Sequence, residues 1–173
     1  VISQSGETAD TLAALRLAKQ NGCKTFAITN VVGSSVSREA DFVFYTHAGP
    51  EIAVASTKAY ITQLIALYIF ALYMAQNRNY VEESVIENIK SELLSLPKKV
   101  KKALETDDIT KKIAQKICGE TDIFYLGRAL DYAVAMEGSL KLKEISYIHS
   151  EPYAGGELKH GPIALIEKGT VVI

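Results

Sequence analysis

Three groups of side chains have types and spacings suited to chemistry. The first is Glu137, Lys141 and Glu144. At about 100° per residue a helix brings these three within about 60° of one another, as a stripe of two carboxylates and an amine. Ile148 shares that arc, with Ala133 and Leu140 on one side and Val134 and Ile145 on the other, so the charges sit within an apolar face. Charges so placed are costly unless they neutralise one another or line a cavity. Such settings also move pKa values towards those useful for proton transfer. A carboxylate there is a candidate base for shuttling a proton between adjacent carbons. The competing reading is a surface salt-bridge ladder.

The second group is Ser3-Gln4-Ser5-Gly6-Glu7-Thr8, a short loop between a strand and a helix. That junction aims backbone N–H groups and the positive end of the helix at one point. Ser3, Ser5 and Thr8 add hydroxyls, Gln4 adds an amide, and Gly6 lacks the Cβ that would block a close ligand. Neutral donors without a lysine suit a phosphate monoester, whereas a nucleotide-triphosphate loop would carry a Walker lysine. A Ser/Thr-rich helix cap has the same composition. The third group is His160, framed by Gly155, Gly156, Gly161 and Pro162, an imidazole able to donate or accept a proton near neutral pH.

The elements that must position these groups follow from periodicity. Residues 1–3 read as the end of a buried strand, and residues 10–21 as an amphipathic helix with Leu12, Leu15 and Leu17 inward. Strands are expected at 24–30 and 41–47, with a short helical turn inside 33–40. A long helix at 59–74, capped by Ser56 or Thr57, is apolar on every side and reads as fully buried. Its length is close to the roughly 18 residues of a membrane span, but it carries Thr62, Gln63 and three tyrosines, and no membrane is expected. Residues 81–96 and 97–105 read as two helices, the second opened by Pro97, followed by a helix at 108–118. A strand at 122–126, a helix at 132–148, a Gly-rich loop, a turn near 162–166 and a last strand at 170 complete the chain. Strands alternating with helices predict a three-layer α/β/α fold with parallel sheet. The shift to charged residues after Asn77 divides it into 1–78 and 79–173.

Bulk composition narrows the function. The 173 residues are 48% hydrophobic with a net charge of −1, which supports a packed core and argues against a nucleic-acid partner. Cys23 and Cys118 stand far apart without metal-ligand spacing, so no metal site is expected and a reducing cytoplasm is the default. The chain begins without Met and both ends lie in apolar runs, which reads as a fragment with both ends cut.

Three segments resemble motifs of one family: SQSGETADTL (3–12), EIAVASTKAY (51–60) and MEGSLKLKEISYIHSEPYAGGELKHGPIALI (136–166). They are similar, in order, to the isomerase half of the glucosamine-6-phosphate synthase family, built from two sugar isomerase (SIS) subdomains. The resemblance implies the later part of the first subdomain at 1–78 and the earlier part of the second at 79–173. It implies an aminotransferase and isomerase that converts fructose 6-phosphate and glutamine-derived ammonia to glucosamine 6-phosphate. Ser3, Gln4, Ser5 and Thr8 would hold the phosphate, and Val54 and Ser56 the sugar. Glu144 would be the base between C1 and C2, with Glu137 and Lys141 beside it. His160 would assist ring opening from the other subunit of a homodimer. No cofactor is implied. The family's glutaminase domain, opening strand and Schiff-base lysine would lie outside this sequence. A non-catalytic phosphosugar-binding module of a regulator, and a related deglycase or phosphosugar isomerase, are the alternatives.

Overall fold

The computed structural model describes all 173 residues, and their contacts divide the chain into two units, Val1–Pro97 and Lys98–Ile173. In the first unit, β1 (Ile2–Ser3), β2 (Phe26–Thr29) and β3 (Phe42–Tyr45) form a parallel sheet in the order β1-β2-β3. Alternation along β2 sets its two faces. Ala27 points to one side, where it is fully buried with Leu12 and Leu15 of α1 (Ala9–Gln20) and Val36 of α2 (Ser35–Glu39). Phe26 points to the other, where its ring stacks on Phe70 of α3 (Lys58–Arg78) at 4.8 Å. Helices thus cover both faces of the sheet, as α/β/α layering requires. Asp41 ties β2 to β3 by accepting the N–H and O–H of Thr25, both at 2.8 Å. Those bonds hold the Asp41 carboxyl below its usual range.

Three expectations for this unit need correction. Leu17 is 61% exposed. It lies two residues, or about 200°, from Leu15 and therefore on the far side of α1. The long helix exists, but it is not buried within this chain: Ala59 and Ala66 are buried, whereas Ile61, Tyr68 and Tyr73 are exposed. It is long and apolar enough to cross a membrane by length and composition. Thr57 occupies the N-cap position without capping. Glu51 does so instead, its Oε2 accepting the N–H groups of Thr57 at 3.4 Å and Ala59 at 3.2 Å.

The two helices expected on either side of Pro97 are one, α4 (Glu83–Leu104). Ile86, Ile89, Leu93, Leu96 and Val100 keep a three-four apolar spacing through the proline, and that stripe carries the helix across the lost backbone bond. Ile65, Ile69 and Leu72 of α3 and Leu93 and Leu94 of the first part of α4 line one apolar groove. The division by contacts accordingly falls inside α4, later than the composition shift at Asn77.

The second unit contains α5 (Asp107–Ile117), β4 (Asp122–Gly127), α6 (Leu130–Ser146), β5 (His149–Ala154) and β6 (Val171–Val172). Its three strands are parallel in the order β5-β4-β6. The strand β5 was missed because Ser, Glu and Pro interrupt its apolar pattern; Pro152 is tolerated there at a position on the sheet edge. Small residues let α6 come close to the sheet. A Cβ on Gly127 would sit 2.4 Å from the backbone of Asp131, and one on Gly138 would sit 3.0 Å from the Tyr125 ring.

Ser139 and Ser150, both buried, lock α6 to β5. Their hydroxyls lie 2.9 Å apart, and each donates to the other residue's carbonyl, at 3.0 and 2.9 Å. Either Ser→Ala change is expected to cost about 1–2 kcal/mol, because it leaves a buried carbonyl without its hydroxyl donor. The remaining hydroxyl keeps its own carbonyl acceptor, so the double change should cost close to the sum of the two. A double-mutant cycle in urea checks this, and a coupling above about 1 kcal/mol would contradict it.

Candidate active site

The loop Ser3–Thr8 leaves the carboxyl end of β1 and enters α1, the position where open parallel sheets bind ligands. Ser3 is 6% exposed, and its Oγ accepts the N–H of Gly6 at 3.0 Å while lying 3.0 Å from the Thr8 hydroxyl. Ser5 is exposed, and its Oγ accepts the N–H of Glu7 at 3.2 Å. Thr8 is extended at the N-cap and makes no side-chain cap, so its hydroxyl does not compete for the first N–H groups of α1. The amide oxygen of Gln4 is buried without a partner. Gly6 has φ +68°, and the space beside its Cα belongs to Ser34, whose Oγ would be 2.1 Å from an added Cβ. Glycine is required there by the neighbouring turn rather than by a ligand's approach, the reason expected from sequence.

Val54 and Ser56 lie in the loop before α3, Val54 fully exposed and Ser56 half-buried. They share the first unit with the loop Ser3–Thr8. Glu51 anchors this segment through the cap on α3, together with Lys58, which donates to the Pro50 carbonyl at 2.7 Å. Sequence reasoning missed Glu51, because a cap supplied from six residues before the N-cap has no local signature.

Glu137, Lys141 and Glu144 lie on α6 in the second unit and are brought together as expected. Lys141 donates to Glu144 at 2.5 Å and lies 3.6 Å from Glu137. The hydrogen bond to Glu144 holds the Lys141 ammonium above its usual pKa, against a smaller opposing effect of desolvation. The side chains are 24%, 21% and 35% exposed in that order. Their apolar surroundings differ from expectation. The face of α6 that packs on the sheet is Ala135 and Ser139, whereas Val134, Leu140 and Ile145 are exposed, and the helix ends at Tyr147 (φ 62°) before Ile148. The large apolar residues flank the stripe on the open side of the helix; small ones were needed against β4. The triad is therefore a half-exposed ion-paired cluster at the margin of the packed face.

His160 closes the 3-10 turn Leu158–His160 and is exposed. A second 3-10 turn, Pro162–Leu165, follows at once. A cleft of about 780 Å³ opens in the same unit between Asp122, His149, Glu151 and Glu167, and none of the predicted site residues lines it.

The SIS domain family model matches residues 1–73 and 116–173. The chain belongs to the SIS domain family. Among relatives of this SIS chain, the glutamine–fructose-6-phosphate aminotransferase [isomerizing] of Clostridium tetani is 69% identical over 173 residues. That match covers all of this chain and 28% of the relative. The C-terminal domain of glucosamine-fructose-6-phosphate aminotransferase from Francisella tularensis superposes with a TM-score of 0.95 at 48% identity, over 99% of this chain and 48% of that one. Glucosamine-6-phosphate deaminase from Thermotoga maritima superposes with a TM-score of 0.74 at 30% identity, over 99% and 50%. This SIS chain thus spans a little over a quarter of the length of the curated relative.

Proposed function

We propose that this chain supplies the sugar-phosphate isomerase chemistry of a glutamine–fructose-6-phosphate aminotransferase, as adjoining parts of two SIS subdomains. The single observation that carries the reading is the Glu137–Lys141–Glu144 cluster on α6. A phosphate loop serves a sensor as well as an enzyme; a carboxylate positioned by a neighbouring ammonium on a half-exposed helix face is a group that can move a proton. Ser3, Gln4, Ser5, Thr8 and the first N–H groups of α1 take the phosphate of fructose 6-phosphate. Val54 and Ser56 contact the sugar, and His160, supplied across a cytoplasmic homodimer, assists ring opening.

Ammonia from the glutaminase domain of the same polypeptide condenses with C2 of the open-chain ketose and releases water. Glu144 then takes a proton from C1 of the protonated imine, leaving a C1–C2 double bond and a neutral amine, and returns it to C2 while the C1 hydroxyl gives its proton to solvent and C1 becomes the aldehyde of glucosamine 6-phosphate. Lys141, donating to Glu144, holds the carboxylate in place between the two transfers.

The complete protein, given fructose 6-phosphate and glutamine or ammonia, should form glucosamine 6-phosphate. Release of ammonia from glucosamine 6-phosphate without synthesis would make it a deaminase, as the Thermotoga maritima relative is named. Sugar-phosphate binding without turnover would make it a sensor.

A further inference from the structure

Glu7 places a carboxylate inside the loop assigned above to a phosphate dianion, where like charges weaken binding. Its bonding shows what the charge does. Glu7 Oε1 accepts the N–H of Ser35, the first residue of α2, at 2.7 Å. The N–H of Val36 donates to the Gly6 carbonyl at 2.9 Å. Ser34 is 3% exposed and packs beside Gly6 so closely that no Cβ fits between them. Three consecutive residues of the turn therefore grip two consecutive residues of the loop. Arg38 braces the turn, donating to the Gly33 carbonyl at 2.7 Å and to the Ser35 hydroxyl at 3.3 Å. Hydrogen bonding from Ser35, with a smaller contribution from the Arg38 charge, holds the Glu7 carboxyl below its usual range.

We propose that Glu7 is a positioning residue: by gripping the first turn of α2 it fixes the Ser5–Thr8 backbone in the form that takes the sugar phosphate. The inference rests on the phosphate reading of the loop and adds the residue that sets its geometry. It also predicts a sign. A carboxylate that merely faced the phosphate would repel it, so neutralising Glu7 would tighten binding. A carboxylate that holds the loop loosens binding when lost.

The test uses the complete protein, with KM for fructose 6-phosphate and the inhibition constant of inorganic phosphate as readouts. Glu7→Ala removes the acceptor of the Ser35 N–H at an exposed position, and should raise both constants in parallel by about tenfold, with kcat within about twofold. Ser35→Pro removes the donor from the other side. Proline is tolerated at the first helical position, and Ser34 before it is already extended (ψ 161°), so the turn should survive. It should reproduce the Glu7→Ala effect, and the double variant should add little to either. Unchanged or lowered constants in both single variants, with Ser5→Ala and Thr8→Ala raising them, would overturn the positioning role alone. Unchanged constants in all four would overturn the phosphate assignment and this inference with it. A lower melting temperature without a change in either constant would reduce Glu7 to a structural contact.

Discussion

Exchanging Glu144 for Gln in the complete protein is expected to lower turnover of fructose 6-phosphate by about 10²- to 10⁴-fold, with KM changed by no more than a few-fold. The substitution keeps the shape of the side chain and its acceptor oxygen but removes the basic group. Binding should persist because the phosphate is assigned to hydroxyls and main-chain N–H groups of the first unit. Lys141 keeps a carboxylate neighbour, Glu137 at 3.6 Å, so the helix surface is not left with a lone cation. Because the Lys141 pKa is raised, its ion pair contributes fully below the unfolded lysine value of about 10.4 and is lost as pH rises through the folded value. Between about pH 6 and 9 the deficit should therefore be flat, and it reports the base rather than the ion pair. Turnover within about threefold of the parent protein would remove Glu144 from the base role.

Gly6→Ala should be the most damaging single change in the first unit. The backbone there has φ +68°, a region that costs an L-residue about 1–2 kcal/mol. The new methyl would also lie 2.1 Å from Ser34 Oγ and 2.6 Å from its Cβ, and relieving that overlap costs about 1–3 kcal/mol more. A loss of about 2–5 kcal/mol is expected from denaturant unfolding, together with loss of sugar-phosphate binding as the loop shifts. The two causes separate in the double variant with Ser34→Gly. Removing the Ser34 side chain restores the steric part and leaves the dihedral part. An unfolding midpoint at the parent value in Gly6→Ala would show that the loop does not hold this conformation.

Both predictions depend on features with different visibility in the sequence. The stripe Glu137–Lys141–Glu144 was legible because helical periodicity alone brings residues three and four apart together, and the ion pairs follow directly. Its surroundings were not legible. The count of apolar residues around α6 was correct, but which of them pack depends on how near the sheet lies. Gly127 and Gly138 bring the helix so close that Ala135 and Ser139 fill the contact while Val134 and Ile145 face outward. A similar ambiguity affected α3, where an all-round apolar helix reads as buried whether its partners belong to this chain or not.

Local chemistry also hid its partners. The strand-loop-helix junction at Ser3–Thr8 was readable from hydroxyls and one glycine, but the reason for that glycine lies 28 residues away in Ser34. Glu7, Glu51 and the Ser139–Ser150 lock were invisible for the same reason, since each acts on a backbone group or hydroxyl that the fold delivers from elsewhere.

The sequence by itself determined the alternation of strands and helices, the parallel sheets, the SIS resemblance and the identity of the residues assigned to phosphate and proton. The element pattern arises from periodicity and from interactions within a few residues, and the residue roles are what the motif resemblance implies; a linear reading contains both. Only the tertiary structure decided which faces pack, what holds the loop, and that α4 runs through Pro97. These depend on distances between segments remote in the chain, and no local pattern encodes a distance.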